Sequence, residues 1–315
     1  MSASNPSPAA YLLISHGSRD PRPAQATEKL AQLVRSRLES TPSGVPYPPQ
    51  PWGRRSRLPS RPAEPRSVLQ TRRNSPVKVT LPWAHPPLVG TACLEAGSLP
   101  LHQQILEFGQ RIYAAGGRSL GIVPLFLLPG RHVLEDVPEA VRQAQRLLPQ
   151  VSLQLCPHLG SHPDLSTLVQ QKLQVAAADT WLLLAHGSRK PEANTSIQWL
   201  AQSLGGTLAY WAGDPNLETQ VIQLIQKGVQ RMVILPYFLF TGTTTDGIIR
   251  RTEELAERFP SIDFRLLPPL GPSLELAQLV VDLALNLRPS LPNSSALPLK
   301  RAALRHQPRA SSLVS

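Results

Sequence analysis

The sequence has few cysteines, few aromatic residues and no long apolar run. Its 315 residues include two cysteines, Cys93 and Cys156, and no CxxC pair. A disulfide framework, a zinc finger and a cysteine-ligated iron–sulfur cluster therefore lack ligands, so any metal chemistry has to use histidine and carboxylate. No apolar run approaches the roughly 18 residues that span a bilayer, and the first residues show no secretory signal. We expect a cytoplasmic protein that does not enter a membrane.

The formal charge of +11 comes from two proline-rich segments. Residues 41–87 hold eight basic residues and one acidic residue, and the tail 289–315 holds four basic residues and no acid, so the rest of the chain is neutral. Both segments lack apolar periodicity and are predicted to be disordered. The basic residues of 41–87 follow no helical face and lack the interleaved aromatic side chains of a stacking platform. We therefore expect no nucleic acid as a partner.

The chain repeats itself once. YLLISHGSRDP at residues 11–21 matches WLLLAHGSRKP at 181–191, an offset of 170, whereas IVPLFLLPG at 122–130 matches ILPYFLFTG at 234–242, an offset of 112. The first copy thus has about 58 extra residues between its two landmarks. The basic segment 41–87 lies there, which makes it an insertion into one copy.

Short apolar runs alternate with helical periodicity in both copies. This alternation predicts parallel sheets covered by helices, because a parallel strand has to be reached by a crossover. The fold class is α/β: two tandem doubly wound, flavodoxin-like and chelatase-like domains that arose by internal duplication. The domains are 1–178, with the insertion 41–87, and 179–288, followed by the tail 289–315. The predicted strands are 11–15, 88–94, 120–127, 151–155, 181–185, 207–211, 232–239 and 264–267.

Two histidines follow buried strands of the first copy. His16 comes directly after the first strand, and His132 comes after the third strand and a short loop. Ligands of open parallel sheets bind outside the carboxyl ends of the strands, and neutral imidazole suits cobalt, iron, nickel and zinc. Glu135 and Asp136 could orient an imidazole, or they could serve as helix caps.

These motifs resemble those of the sirohydrochlorin chelatases, the class II chelatases that insert cobalt or ferrous iron into sirohydrochlorin. The resemblance rests on HGSR at 16–19, on PLFLLPGRH ending at His132, on VxxxxLE ending at Glu95, and on the second HGSR beginning at His186. It covers nearly all of the chain outside the insertion and the tail, and it corresponds to the long, two-repeat form of the family.

The resemblance implies that His16 and His132 form the metal-binding and catalytic pair. Co2+ or Fe2+ would be the substrate metal, on the way to cobalamin or siroheme, with sirohydrochlorin as the partner and no permanently bound cofactor. Histidine can hold the metal and accept pyrrole protons, because its ordinary pKa lies near neutral pH. The candidate substrate-binding residues, which include three arginines suited to the carboxylates of the tetrapyrrole, are Arg19, Glu95, Arg131, His186, Arg189 and Thr244.

The second copy departs from the pattern at Thr244, which aligns with His132. A hydroxyl is a poor ligand for cobalt or ferrous iron, so we expect one working site, in the first copy. His186 either contacts the tetrapyrrole or is a relic. Two alternatives stay open: a non-catalytic carrier of tetrapyrrole or metal, and a protein that binds anionic polymers through its insertion. The metal preference and the oligomeric state are also open.

Overall fold

The described residues form two four-stranded parallel sheets with helices on both faces. The computed structural model describes residues 10–40, 87–174, 178–187 and 191–285. The first repeat contains β1 (Ala10–Ser15), α1 (Pro21–Ser40), β2 (Leu88–Cys93), α2 (Leu101–Ala114), β3 (Ser119–Pro124), a π-helical turn (His132–Asp136), α3 (Val137–Leu147), β4 (Ser152–Leu155) and α4 (Leu165–Leu173). The second contains β5 (Thr180–Ala185), α5 (Pro191–Ser203), β6 (Thr207–Tyr210), α6 (Leu217–Gln226), β7 (Arg231–Pro236), α7 (Thr243–Arg258), β8 (Asp263–Leu266) and α8 (Leu274–Leu285).

Both sheets have the same strand order, which confirms the predicted α/β fold class. The orders are β2-β1-β3-β4 and β6-β5-β7-β8, and every pair is parallel. In each sheet the strand order reverses between the first and third strands, β1 and β3 or β5 and β7. Such a switch point opens a crevice at the carboxyl ends of the strands, where ligands of doubly wound folds bind.

One face of each sheet packs against side chains of its own repeat only. The other face packs into a core that both repeats share. Along β1, Leu12 and Ile14 pack into a cluster made by the first repeat alone. Tyr11 and Leu13 point the other way, into a cluster that includes side chains of both repeats. This alternation follows from the two-residue period of a strand whose faces are both buried.

Helix α8 connects the repeats most directly. It packs against α1 and β3 of the first repeat, and eight of its side chains are buried. Because Leu30, Val34 and Leu38 of α1 lie in the same shared cluster, part of the core of the first repeat is completed by the end of the second.

The structure differs from the predicted element bounds in two respects. β3 and β7 end at Pro124 and Pro236, three residues earlier than predicted, because proline has no N–H to continue the ladder. Apolar periodicity predicts helices at about 197–204 and 248–258, whereas α5 and α7 begin earlier, at Pro191 and Thr243. Their first turns are mostly polar, and apolar periodicity cannot detect such turns.

Part of the predicted organisation lies outside the described residues. This holds for the insertion apart from Pro87, for the tail, and for Arg189. Among the residues that the structure describes, no helix is both long and apolar enough to cross a membrane.

Candidate metal centre

His16 lies at the carboxyl end of β1, where a tight turn brings it beside Glu95. Gly17 follows with a φ of +90°, and a Cβ atom there would lie 1.9 Å from the carbonyl oxygen of Glu95. Only glycine tolerates both the backbone conformation and this close approach. The carbonyl of His16 accepts a hydrogen bond from the N–H of Glu95 at 2.8 Å. The turn therefore fixes the end of β2 against the end of β1.

His132 lies after β3, in a single π-helical turn that leads into α3. The Nδ1 atom of His132 is 2.8 Å from Oδ2 of Asp136. A carboxylate accepts a hydrogen bond, so this contact assigns the proton to Nδ1 and leaves the lone pair of the neutral ring on Nε2. The ring also lies near Phe126, with centroids 6.0 Å apart. Of the two readings of Asp136 from the sequence, the structure favours the imidazole partner, since the turn shows no side-chain cap.

Three side chains meet at the switch point of the first sheet. One potential ligand atom from each of His16, Glu95 and His132 lies within 4.8 Å of the others. The two imidazole rings are perpendicular, with centroids 4.8 Å apart, and Nδ1 of His16 is 3.9 Å from Oε2 of Glu95. Two imidazoles and a carboxylate suit a divalent transition metal, and a three-ligand site keeps coordination positions open for a second ligand.

The cluster opens to solvent. His16 and Glu95 have side chains more than half exposed, whereas the side chains of His132 and Asp136 are about two-thirds buried. Arg131 is exposed beside them, with Nε 3.3 Å from Glu135 and 3.7 Å from Asp136. The open side of the cluster can therefore admit a large ligand.

Arg19 is also exposed, two residues beyond the turn at Gly17. Arg19 and Arg131 thus lie on the two loops that carry His16 and His132. The structure does not describe Arg189, so its relation to the cluster stays a prediction.

The second repeat has the same backbone arrangement with different side chains. The N–H of Ala212 bonds the carbonyl of His186 at 2.9 Å, as Glu95 bonds His16 in the first repeat. Gly187 has a φ of +88°, matching Gly17. His186, Ala212 and Thr244 therefore stand where His16, Glu95 and His132 stand in the first repeat. The Glu95 counterpart was missed from the sequence because no motif marks the end of β6.

The π-helical turn of the first repeat contains one residue more than the matching turn of the second repeat. Paired positions are offset by 112 residues at Pro124 and Pro236 but by 111 residues at Leu155 and Leu266. Val137 and Ile248, both fully buried, match at the smaller offset. Four residues therefore separate His132 from Val137, against three in the second repeat. A π-helical turn accommodates one such insertion within a helix, and Asp136 lies in it.

The nearby histidines His158 and His162 have other partners. His158 directs Nδ1 to the carbonyl of Phe126 at 3.0 Å, and burial lowers the pKa of its imidazole. The side chain of His162 is buried with Nε2 3.7 Å from Asp282 of α8. Neither belongs to the cluster of potential metal ligands found among the described residues.

Comparison with known proteins gives sequence relatives and structural neighbours. The sirohydrochlorin cobaltochelatase of Priestia megaterium is 28% identical over 173 residues, which cover 49% of this chain and 55% of the relative. A sirohydrochlorin ferrochelatase of Bacillus subtilis is 22% identical over 181 residues, covering 53% of this chain and 69% of the relative. The chain thus spans about half the length of the first of these relatives.

Two solved structures have a similar fold. SirB from Bacillus subtilis with Fe3+ matches with a TM-score of 0.61 at 17% identity, over 87% of this chain and 93% of that one. A multi-domain Deinococcus radiodurans protein with structural similarity to chelatases gives a TM-score of 0.58 at 18% identity, over 89% of this chain and 55% of that one. At these identities the matches support the two-sheet fold.

The family model named CbiX matches the chain twice in succession, over residues 87–176 and 180–286. The first match begins directly after the segment that separates α1 from β2, and the second begins at β5. Together the matches cover more than half of the chain, and the family resemblance inferred from the motifs is confirmed. The chain belongs to the CbiX family.

Proposed function

We propose that this protein inserts a divalent metal ion, Co2+ or Fe2+, into sirohydrochlorin. The observation that carries the proposal is the convergence of His16, Glu95 and His132 within 4.8 Å at the switch point of the first sheet. Relatives with recognisable similarity are named sirohydrochlorin cobaltochelatase and ferrochelatase. Their names cover both metals, so the proposal includes both.

The reaction exchanges one divalent cation for two pyrrole protons. The two imidazoles and the carboxylate would hold the incoming metal ion while leaving coordination positions for the ring nitrogens. As the metal leaves, its former ligands regain free lone pairs, so the released imidazoles and the Glu95 carboxylate can accept the two pyrrole protons. Asp136 would keep Nε2 of His132 directed at the metal by accepting the hydrogen bond of Nδ1–H.

The substrate is rich in carboxylates, and the arginines near the cluster suit them. Arg19 and Arg131 lie on the loops that carry the two histidines, and a guanidinium forms bidentate hydrogen bonds to a carboxylate. We assign both arginines to substrate binding, together with Arg189, His186 and Thr244 on the second repeat. With Ala212 and Thr244 in place of two ligands, the second repeat would complete the cleft without holding a metal of its own.

The test is an insertion assay that follows the Soret band of sirohydrochlorin with Co2+ and, separately, with Fe2+. The rate should be proportional to enzyme with many turnovers, which a stoichiometric carrier cannot give. His16→Ala and His132→Ala should abolish insertion, whereas His186→Ala should leave much of it. An equal loss from His186→Ala would overturn the assignment of a single site.

The same assay decides the metal preference and the role of the basic insertion. Initial rates with both metals on one preparation give the preference. Deleting residues 43–86 should leave insertion largely intact if the segment is not part of the site. A folded deletion variant without activity would contradict that expectation.

A further inference from the structure

Arg22, six residues after His16, joins the two repeats. Its guanidinium donates to both carboxylate oxygens of Asp246, at 3.0 and 2.5 Å, and to both oxygens of Asp20, at distances between 2.6 and 3.1 Å. Asp246 lies in the first turn of α7 in the second repeat, and Asp20 lies directly before α1 in the first. One arginine therefore ties two acids from different repeats.

The two chain segments that carry these acids, around Asp20 and around Asp246, also approach each other at other atoms. The hydroxyl of Thr243 donates to Oδ2 of Asp20 at 3.4 Å. A Cβ atom on Gly242 would lie 3.2 Å from Cγ of Pro23, so the backbone at Gly242 runs close to the proline ring. Asp20 also accepts the backbone N–H of Arg22 at 3.0 Å, which caps the start of α1. The contact is thus a small interface with several polar partners, and it is not a single exposed ion pair.

Asp20 is the centre of this interface. Its side chain is only 10% exposed, and hydrogen bonds from Arg22 lower the pKa of its carboxyl to about 2. An isolated surface pair contributes little, because solvent screens it and both side chains lose freedom. A bidentate arginine shared by two carboxylates has fixed geometry, so it can hold two segments at a set distance.

The first of those segments also carries His16. Five residues run from His16 to the end of the loop at Asp20, and the hydroxyl of Ser18 accepts the N–H of Asp20 at 3.1 Å within it. His16 itself is more than half exposed, and the contacts of its ring are with Gly17, Glu95 and His132. Because the imidazole is largely exposed, its position depends mainly on the backbone of the loop.

The second segment is the counterpart of the loop and turn that bear His132. The region 242–246 of the second repeat corresponds to 130–134 of the first, and it has threonine in place of the histidine. We propose that this region is a brace for the first metal centre: Asp246 and Thr243 hold Asp20 and Arg22, and thereby set the position of His16 relative to His132. Arg22, Asp20 and Asp246 are positioning residues. The inference rests on the proposed function for the role of the metal centre.

The experiment compares Arg22→Ala, Asp246→Ala and the exchanged pair R22D/D246R, which keeps two acids and one base at the contact but swaps the charges of positions 22 and 246. Arg251→Ala is the matched control, because Arg251 also lies on α7 and pairs with Glu218 and Glu254 away from the loop. Three quantities are measured: Co2+ affinity without sirohydrochlorin, read from the d–d absorption of the bound ion, and kcat and KM for insertion.

Arg22→Ala and Asp246→Ala should each weaken Co2+ binding and lower kcat by roughly tenfold, a typical size for coupling between two regions. KM for sirohydrochlorin should change less than kcat, and the exchanged pair should recover most of the loss. Arg251→Ala should match the unaltered protein. If the exchanged pair fails to fold, Asp246→Asn, which keeps one oxygen acceptor, has to fall between the unaltered protein and Asp246→Ala.

Several outcomes would contradict the proposal that the region 242–246 positions His16. These are unaltered Co2+ affinity in Arg22→Ala, an equal loss in Arg251→Ala, or no recovery in a folded exchanged pair. A failure of the proposed function has a different signature. In that case the unaltered protein binds Co2+ and does not insert it, while Arg22→Ala still weakens Co2+ binding.

Discussion

The hydrogen bond between His132 and Asp136 gives a quantitative prediction. Replacing Asp136 by alanine removes the acceptor for Nδ1–H, so the imidazole of His132 can rotate and can place its proton on either nitrogen. The fraction of molecules that present a correctly directed Nε2 lone pair then falls. Metal binding should weaken even though His16, Glu95 and His132 are all still present.

The expected size follows from the geometry. The Nδ1 to Oδ2 distance is 2.8 Å, and a hydrogen bond to a charged group contributes about 1.5–3 kcal/mol. Both side chains are about one-third exposed, which places this bond in the lower part of that range. A loss of about 1.5–2 kcal/mol corresponds to roughly 10- to 30-fold weaker Co2+ binding, within the range of about 10- to 100-fold measured for partners of metal-binding histidines.

Calorimetric titration with Co2+ measures the effect, with circular dichroism as a check on folding. Asp136→Asn should lose about three- to fivefold, because a charged acceptor is roughly twice as strong as a neutral one. Glu135→Ala is the control, since Glu135 lies in the same turn and pairs with Arg131. Its Co2+ affinity should stay within about twofold of the unaltered protein. A folded Asp136→Ala variant with unaltered affinity would refute the reasoning.

Three further predictions concern stability. Gly17→Ala and Gly187→Ala both place a Cβ atom on a residue with positive φ, at a cost of about 1–2 kcal/mol. Only the Cβ atom at position 17 also meets a carbonyl oxygen, at 1.9 Å. Gly17→Ala should therefore unfold at a lower urea concentration than Gly187→Ala and bind Co2+ more weakly. Leu276→Ala should lower the free energy of unfolding by about 2–5 kcal/mol, because Leu276 is fully buried in the shared core. Burial lowers the pKa of His158, so as the pH falls below about 6.5 the unfolded chain takes up a proton before the folded one, and stability falls. His158→Gln should flatten that part of a urea-unfolding pH profile, and an unchanged slope would contradict the pKa shift.

Residues at strand ends could be predicted from the sequence, because two simple rules determine where they lie. Apolar runs located the strands, and the rule for ligand sites of parallel sheets then selected His16 and His132. The same rule applies to Glu95, which follows β2, but the sequence suggested it as a substrate contact and gave no reason to place it between the histidines. Its position depends on the turn at Gly17, where two backbones approach closely, and the sequence does not show that approach.

Other features depend on contacts between distant parts of the chain. Arg22 and Asp246 are more than 200 residues apart, and in the sequence each is an ordinary charged residue near the start of a helix. Helix α8 is apolar on nearly all sides, which is typical of a helix buried in a core, but that pattern does not say which repeat covers it. The extra residue of the π-helical turn left a trace in the changing offset between the repeats, although periodicity alone could not locate it.

The π-helical turn has a consequence for any attempt to build a second metal centre by design. Exchanging Ala212 for glutamate and Thr244 for histidine would supply the missing ligand types beside His186. The new histidine would still lack an Asp136 counterpart, because the position four residues on is Ile248, fully buried in the core. Recovering a carboxylate partner would require lengthening α7 by one residue, so the two substitutions alone should give a site that binds Co2+ roughly 10- to 30-fold more weakly than the first, as expected for Asp136→Ala. A second site of full affinity therefore needs a change in chain length as well as new side chains.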